Sequence, residues 1–209
     1  MDYLKDLKKA DLQGKRVLVR YAFDLPLDEK GNIVDERRII DGLPTVKFLL
    51  KKDAKIILFG HNGRPKGKKI QKLSMKVVGK CLSKHLKKKV LTLQDSVGKE
   101  VESAVHNMKN KDIILLENVR FHKEEKDKDP KVREEWGVKY AALADIFVQD
   151  AYANAHHDQA SMTVAPKFLP SYLGLAIEKE LKALEKLDKP KHPYTAIIAG
   201  AKPEKVDIV

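Results

Sequence analysis

Six short runs of aliphatic and β-branched residues punctuate the chain: RVLVR (16–20), KIILFG (55–60), VLTLQ (90–94), DIILLEN (112–118), DIFVQDAY (145–152) and TAIIAG (195–200). Their apolar residues are continuous rather than alternating, which marks strands buried on both faces. Between most of them, apolar residues recur three and four positions apart, in DGLPTVKFLLKKD (41–53), LSMKVVGKCLSKHLKK (73–88), SVGKEVESAVHNM (96–108) and DPKVREEWGVKYAALA (129–144). That spacing gives each stretch one apolar helical face. Strand and helix in alternation predict an α/β fold, a doubly wound parallel sheet in a Rossmann-like α/β/α sandwich.

After Tyr152 the pattern changes. A polar loop, ANAHHDQASM, leads into APKFLPSYLG and then a long amphipathic helix, LAIEKELKALEKLDK (175–189). KPKHP (189–193) reads as a linker, and TAIIAG begins a fresh buried strand. One strand alone cannot bury itself, so it either joins the first sheet or opens a second domain. The expected division is the latter, an α/β domain over 1–174, a helix and linker over 175–193, and the start of a second domain over 194–209.

The composition is that of a globular chain, with 43% hydrophobic and 34% charged residues in 209. No apolar run approaches a membrane span and the N-terminus lacks a signal-peptide core, so a cytoplasmic location is the expectation. Cys81, the single cysteine, excludes a disulfide framework and reads as a buried, reduced thiol. A net charge of +12 raises the question of a nucleic-acid partner. The charge, however, is mostly lysine interleaved with acids, as in HKEEKDKDPKVREEW, which reads as solvated surface. No nucleic-acid or membrane partner is expected, and the chain is expected to be a monomer.

Arginine is scarce, with seven residues, so its placement is informative. Ligands of open parallel sheets bind beyond the carboxyl ends of the strands. Arg20 ends the first run; His61 and Arg64 follow the second in GHNGRP; Arg120 and His122 follow DIILLEN; His156 and His157 follow DIFVQDAY. Arg38 lies in DERRIID, between the first two strands. Four of seven arginines and four of seven histidines thus map to one edge, which predicts a pocket for a small, multiply anionic metabolite. Gly60 and Gly63 are expected to let the backbone approach closely and to offer N–H donors. Asp150 is expected to orient a neighbouring Arg or His, Trp136 to pack on a helix, and His85, His106 and His192 to face solvent. KEEKDKDPK is expected to be a solvated loop or a helix start.

These segments resemble the phosphoglycerate kinase family. VLVRYAFDLPLDEKGNIVDERRI is similar to its opening signature, GHNGRPKG to its His-x-Gly-Arg-Pro loop, and LLENVRFHKEE to its Leu-x-Glu-Asn-x-Arg-Phe motif. FVQDAYANAHHDQASM, LPSYLGLAIEKEL and TAIIAGAK follow in the family's order. The resemblance implies the N-terminal domain of a two-domain kinase. That domain binds 3-phosphoglycerate or 1,3-bisphosphoglycerate, and the C-terminal one binds ATP or ADP with its Mg²⁺, without a protein-held metal. Position by position it implies Arg38 and Lys202 as catalytic, with Arg38 on the transferring phosphoryl group. Arg20, Ala22, Asp24, Arg38, His61, Asn62, Gly63, Arg64, Arg120 and His157 are implied on the substrate, and Lys202 and Lys205 on the nucleotide. Most of the nucleotide domain is expected to be missing from this chain, so that alone it does not complete the reaction.

Two segments depart from the family pattern. Its Arg-Val-Asp-Phe-Asn reads Arg20-Tyr21-Ala22-Phe23-Asp24 here, and its His-Arg-Ala-His reads His156-His157-Asp158-Gln159. A carboxylate at 24 repels an anionic ligand unless Arg20 or Arg38 pairs with it, and His157 is charged only when protonated. The alternative is therefore a phospho-acid-binding module of altered specificity, without catalysis, on the same scaffold. A P-loop fails on spacing after Gly63, and the adjacent His156 and His157 do not suit one ion.

Overall fold

A computed structural model describes residues 6–187, 190 and 193–195. Lys202, Lys205, His192 and nearly all of the last expected strand lie outside the described residues. Six strands, β1 (Arg16–Tyr21), β2 (Lys55–Phe59), β3 (Leu91–Thr92), β4 (Ile113–Leu115), β5 (Ile146–Asp150) and β6 (Ser171–Leu173), form one sheet in the order β3-β4-β2-β1-β5-β6. Every neighbouring pair is parallel, with Val17 opposite both Ile56 and Ile146 at the centre.

The pleat sends alternate residues to opposite layers. Val17, Val19, Ile56, Leu58 and Val148 pack beneath α1 (Arg37–Lys51) and α2 (Lys76–Leu86), against Val46, Leu49, Val78 and Leu82. Leu18, Ile57, Phe59, Ile114 and Phe147 face α3 (Lys99–His106) and α4 (Pro130–Ala141), against Val101, Val105 and Tyr140. Both faces of the central strands are buried, which is why their sequences run apolar without alternation. The doubly wound α/β/α expectation holds.

The helices begin and end for local reasons. Asp129 accepts from the Lys131 N–H, and Pro130 occupies the first turn of α4, where its missing N–H goes unneeded. Helix α5 (Leu175–Leu184) packs on α1 and is capped by Asp150, whose Oδ1 accepts from the N–H of Ala176 and of Ile177 at 3.0 and 3.3 Å. Asp150 thus orients a helix, not the Arg or His expected of it. The expected helix to 189 gives way at Glu185–Leu187 to a tighter turn.

β6 is absent from the sequence reading. It is a three-residue, half-buried edge strand paired only with β5, too short for periodicity to register. No described helix is long and apolar enough to cross a membrane.

Candidate functional site

The carboxyl edge of the sheet carries the expected residues, at different depths. Arg20, the last residue but one of β1, lies on the α4 side and is wholly buried. Its guanidinium lies 5.8 Å from the Phe59 ring, with every nitrogen engaged internally: Nε donates to Ser161 Oγ (2.9 Å), Nη1 to the Tyr21 carbonyl (2.9 Å), and Nη2 to His61 Nδ1 (2.9 Å). Ser161 Oγ in turn donates to Glu125 Oε1 at 2.5 Å, and its N–H donates to Oε2 at 3.1 Å. Glu125 is fully buried, not on the solvated loop that KEEKDKDPK suggests. Burial raises its pKa while the nearby Arg20 opposes the shift, and burial brings Arg20 down to about 10.

This chain of bonds fixes the state of His61. Because Arg20 can only donate, Nδ1 must accept, so the neutral ring carries its proton on Nε2. Burial first, then the charges of Arg20 and Arg120, lowers the His61 pKa to about 2. Its Nε2–H is buried and unpartnered, as are Asn62 Nδ2 and Arg120 Nε. All three are donors on the loops that leave β2 and β4. A buried donor without an acceptor costs about 1–3 kcal/mol, so these three lack an acceptor that the fold itself does not supply.

Arg120, on the turn after β4, spends Nη1 on the Gly63 carbonyl at 3.0 Å. Arg64 is close enough to depress its pKa and Asp24 to raise it, although burial is the largest influence and the net shift is downward. A hollow of about 350 Å³ opens here, lined by Arg64, Lys66, Arg120, His122, Lys123 and Lys126. A second, of about 240 Å³, contains Ala22, Arg38 and Lys179. Asp24 lies between the two groups of cations. Its Oδ1 accepts from the Gly63 N–H (2.9 Å), its carbonyl accepts from Arg38 Nη1 (2.7 Å), and its Oδ2 lies 3.8 Å from the same nitrogen. Of the two arginines that could pair with Asp24, Arg38 lies beside it while Arg20 is bonded elsewhere.

Several site residues serve differently from expectation. Arg20 is wholly buried and supports His61 from beneath. The Gly63 N–H is already taken by Asp24. Gly63 is required instead by its φ of +67° and by Leu73, 2.8 Å from where a Cβ would sit. At Gly60 a Cβ would lie 2.6 Å from the Tyr21 carbonyl. His122 binds Asp95 at 2.6 Å and packs on Trp136. His157 lies against His156 with the two rings tilted, and burial, with the charges of His156, Arg120 and their neighbours, lowers its pKa.

Three supporting residues escape the sequence reading. Asn118 Nδ2 ties the Asn62 and Leu73 carbonyls together, and Glu117 accepts from Ser74 Oγ, the Met75 N–H and the Asn118 N–H. Both sit inside the quoted LLENVRF stretch, so a polar pair directly after an apolar strand was the available signal. Ser161, between Ala160 and Met162, gives none.

The sequence model described as phosphoglycerate kinase matches residues 7–209. The phosphoglycerate kinase of Coprothermobacter proteolyticus is 44% identical over 200 residues, 95% of this chain and 50% of that protein. That of Aquifex aeolicus is 46% identical over 200 residues, 95% and 49% respectively. Among solved structures, phosphoglycerate kinase from Pyrococcus horikoshii OT3 superposes with a TM-score of 0.81 at 27% identity, over 90% of this chain and 46% of that one. The enzyme from Coxiella burnetii does so with a TM-score of 0.77 at 29% identity, over 91% and 46%. The chain spans about half the length of the curated relatives it matches.

Proposed function

The chain belongs to the phosphoglycerate kinase family, and from that premise we propose that it supplies the 3-phosphoglycerate half of a reversible phosphoryl transfer. In the forward glycolytic direction 1,3-bisphosphoglycerate gives its acyl phosphate to ADP. In reverse, a carboxylate oxygen of 3-phosphoglycerate attacks the γ-phosphorus of ATP and ADP leaves.

Residues 1–174 form the phosphoglycerate-binding domain in this reading, 175–193 the connection, and 194–209 the start of the nucleotide domain. Arg64 and Arg120 grip the substrate's phosphate, while the His61 Nε2–H and the Asn62 amide donate to its remaining oxygens. Arg38, at the first turn of α1, faces the transferring phosphoryl group and neutralises its developing charge. Lys202 and Lys205 face the nucleotide phosphates. Mg²⁺ arrives with ATP or ADP as part of that substrate. Such transfer is largely positioning and charge stabilisation, which suits a rigid cationic edge with no nucleophile of its own.

The observation that carries this reading is the set of three unpartnered buried donors, from His61, Asn62 and Arg120, on the two loops that also bring Arg64 and Arg120 to one hollow. Likeness across nearly the whole chain favours it over a non-catalytic module. The test mixes this chain with a separately produced nucleotide domain of a relative, 3-phosphoglycerate and Mg-ATP. ADP formation that needs both polypeptides and disappears in Arg38→Ala is expected. Failure of the mixture to turn over, together with failure of this chain to bind 3-phosphoglycerate, would overturn it.

A further inference from the structure

Away from the anion site, Glu36, Cys81 and His85 bring an oxygen, a sulfur and a nitrogen donor within 4.8 Å of one another, the one such trio among the described residues. We propose that these three side chains form a binding site for a borderline-soft divalent cation of the zinc type, tying α2 to the start of α1.

The geometry follows from two elements. Cys81 and His85 are four residues apart on α2 and therefore share one face of it. Glu36, the residue before α1, reaches across to them, its Oε2 lying 2.7 Å from His85 Nε2. Tetrahedral zinc, with bonds of about 2.0–2.3 Å, sets neighbouring donors about 3.3–3.8 Å apart. Small side-chain rotations bring the trio to that spacing. Cys81 is buried, whereas the side chains of His85 and Glu36 are 24% and 36% exposed, so an ion has an entry path and a fourth position open to water.

The donor set selects the ion. Hard cations such as Ca²⁺ and Mg²⁺ take oxygen ligands, whereas thiolate with imidazole suits zinc and its neighbours. Without metal, the Cys81 thiol and the His85 ring both interact with the Glu36 carboxylate, and burial, with that carboxylate, holds the thiol near pKa 11. Metal binding displaces the S–H proton to solvent. The Nε2 proton that bonds Glu36 without metal also leaves through solvent, and the neutral ring keeps its one proton on Nδ1 while the Nε2 lone pair binds the ion. Lys84 alongside favours the anionic forms of both Glu36 and Cys81, so the two ligand charges balance the ion's.

The site departs from the expectation of no protein-held metal, and His85, expected to face solvent, is 24% exposed and bonded to Glu36. The site depends on a helical turn in α2 and on a carboxylate from another element, a meeting that only the fold creates.

The test titrates the untagged chain with Co²⁺ and then competes it with Zn²⁺. One equivalent of Co²⁺ is expected to give thiolate-to-cobalt charge-transfer absorption, which Zn²⁺ removes while raising the thermal midpoint. Cys81→Ser is expected to lose that band, and both it and His85→Gln to weaken affinity by at least about tenfold, since even outer-shell partners are worth 10–100-fold. His85→Gln replaces a partly exposed side chain, so it reports even should Cys81→Ser misfold. Absence of stoichiometric binding, or binding of the same affinity in His85→Gln, would overturn the proposal.

Discussion

Arg20 is a buried charge held by Ser161, His61, a backbone carbonyl and the field of Glu125. Glu125 does not touch Arg20 but is linked to it through Ser161, so removing Arg20 takes away its nearby positive charge, at a cost approaching the about 3–5 kcal/mol of a broken buried pair. Arg20→Met is therefore expected to lower unfolding free energy in urea by roughly that amount. A loss below about 1 kcal/mol would mean that Glu125 does not depend on it. Asp24 poses the opposite case, an acid set among cations that would otherwise face an anion. Asp24→Asn keeps an oxygen for the Gly63 N–H and removes the negative charge. It is expected to tighten 3-phosphoglycerate binding about tenfold by calorimetry, a change of about 1.4 kcal/mol. Unchanged affinity would place the ligand away from Asp24. The arginines of this site were legible in the sequence because their scarcity made strand-end placement stand out. Glu125 was not, because burial is set by the elements that cover a residue, and a mixed-charge run looks the same whether or not one acid turns inward.

At the scale of elements, the junction of β5 and α5 carries its own titration. Asp150 caps α5 through Oδ1 while its other oxygen is buried without a partner, and desolvation raises its pKa to about 6. An unfolded aspartate titrates near 3.9. Between these values the folded chain holds more protons than the unfolded one, so stability falls as pH rises from about 4 to about 6. The full effect is bounded by about 3 kcal/mol. Asp150→Asn keeps an acceptor for the two N–H groups and carries no charge, so the decline should flatten in denaturation series across that range. An unaltered slope would assign the titration elsewhere. The strands that apolar runs disclosed are those buried on both faces. β6, at the edge with one neighbour, lacks that imprint, and its existence depends on β5 being beside it.

At the scale of the whole molecule, parallel strands direct every one of their exits to one edge, and the connections divide the helices between two layers. The loops after β1, β2 and β4 thereby meet although they are distant in sequence, giving a rigid wall of donors rather than a mobile tail of lysines. The most direct measurement follows the side-chain NMR signals of Arg120 Nε–H and His61 Nε2–H while 3-phosphoglycerate is added. Saturable shifts of both, in step with one binding curve, are predicted. Binding that leaves both signals unmoved would contradict a site built on these donors.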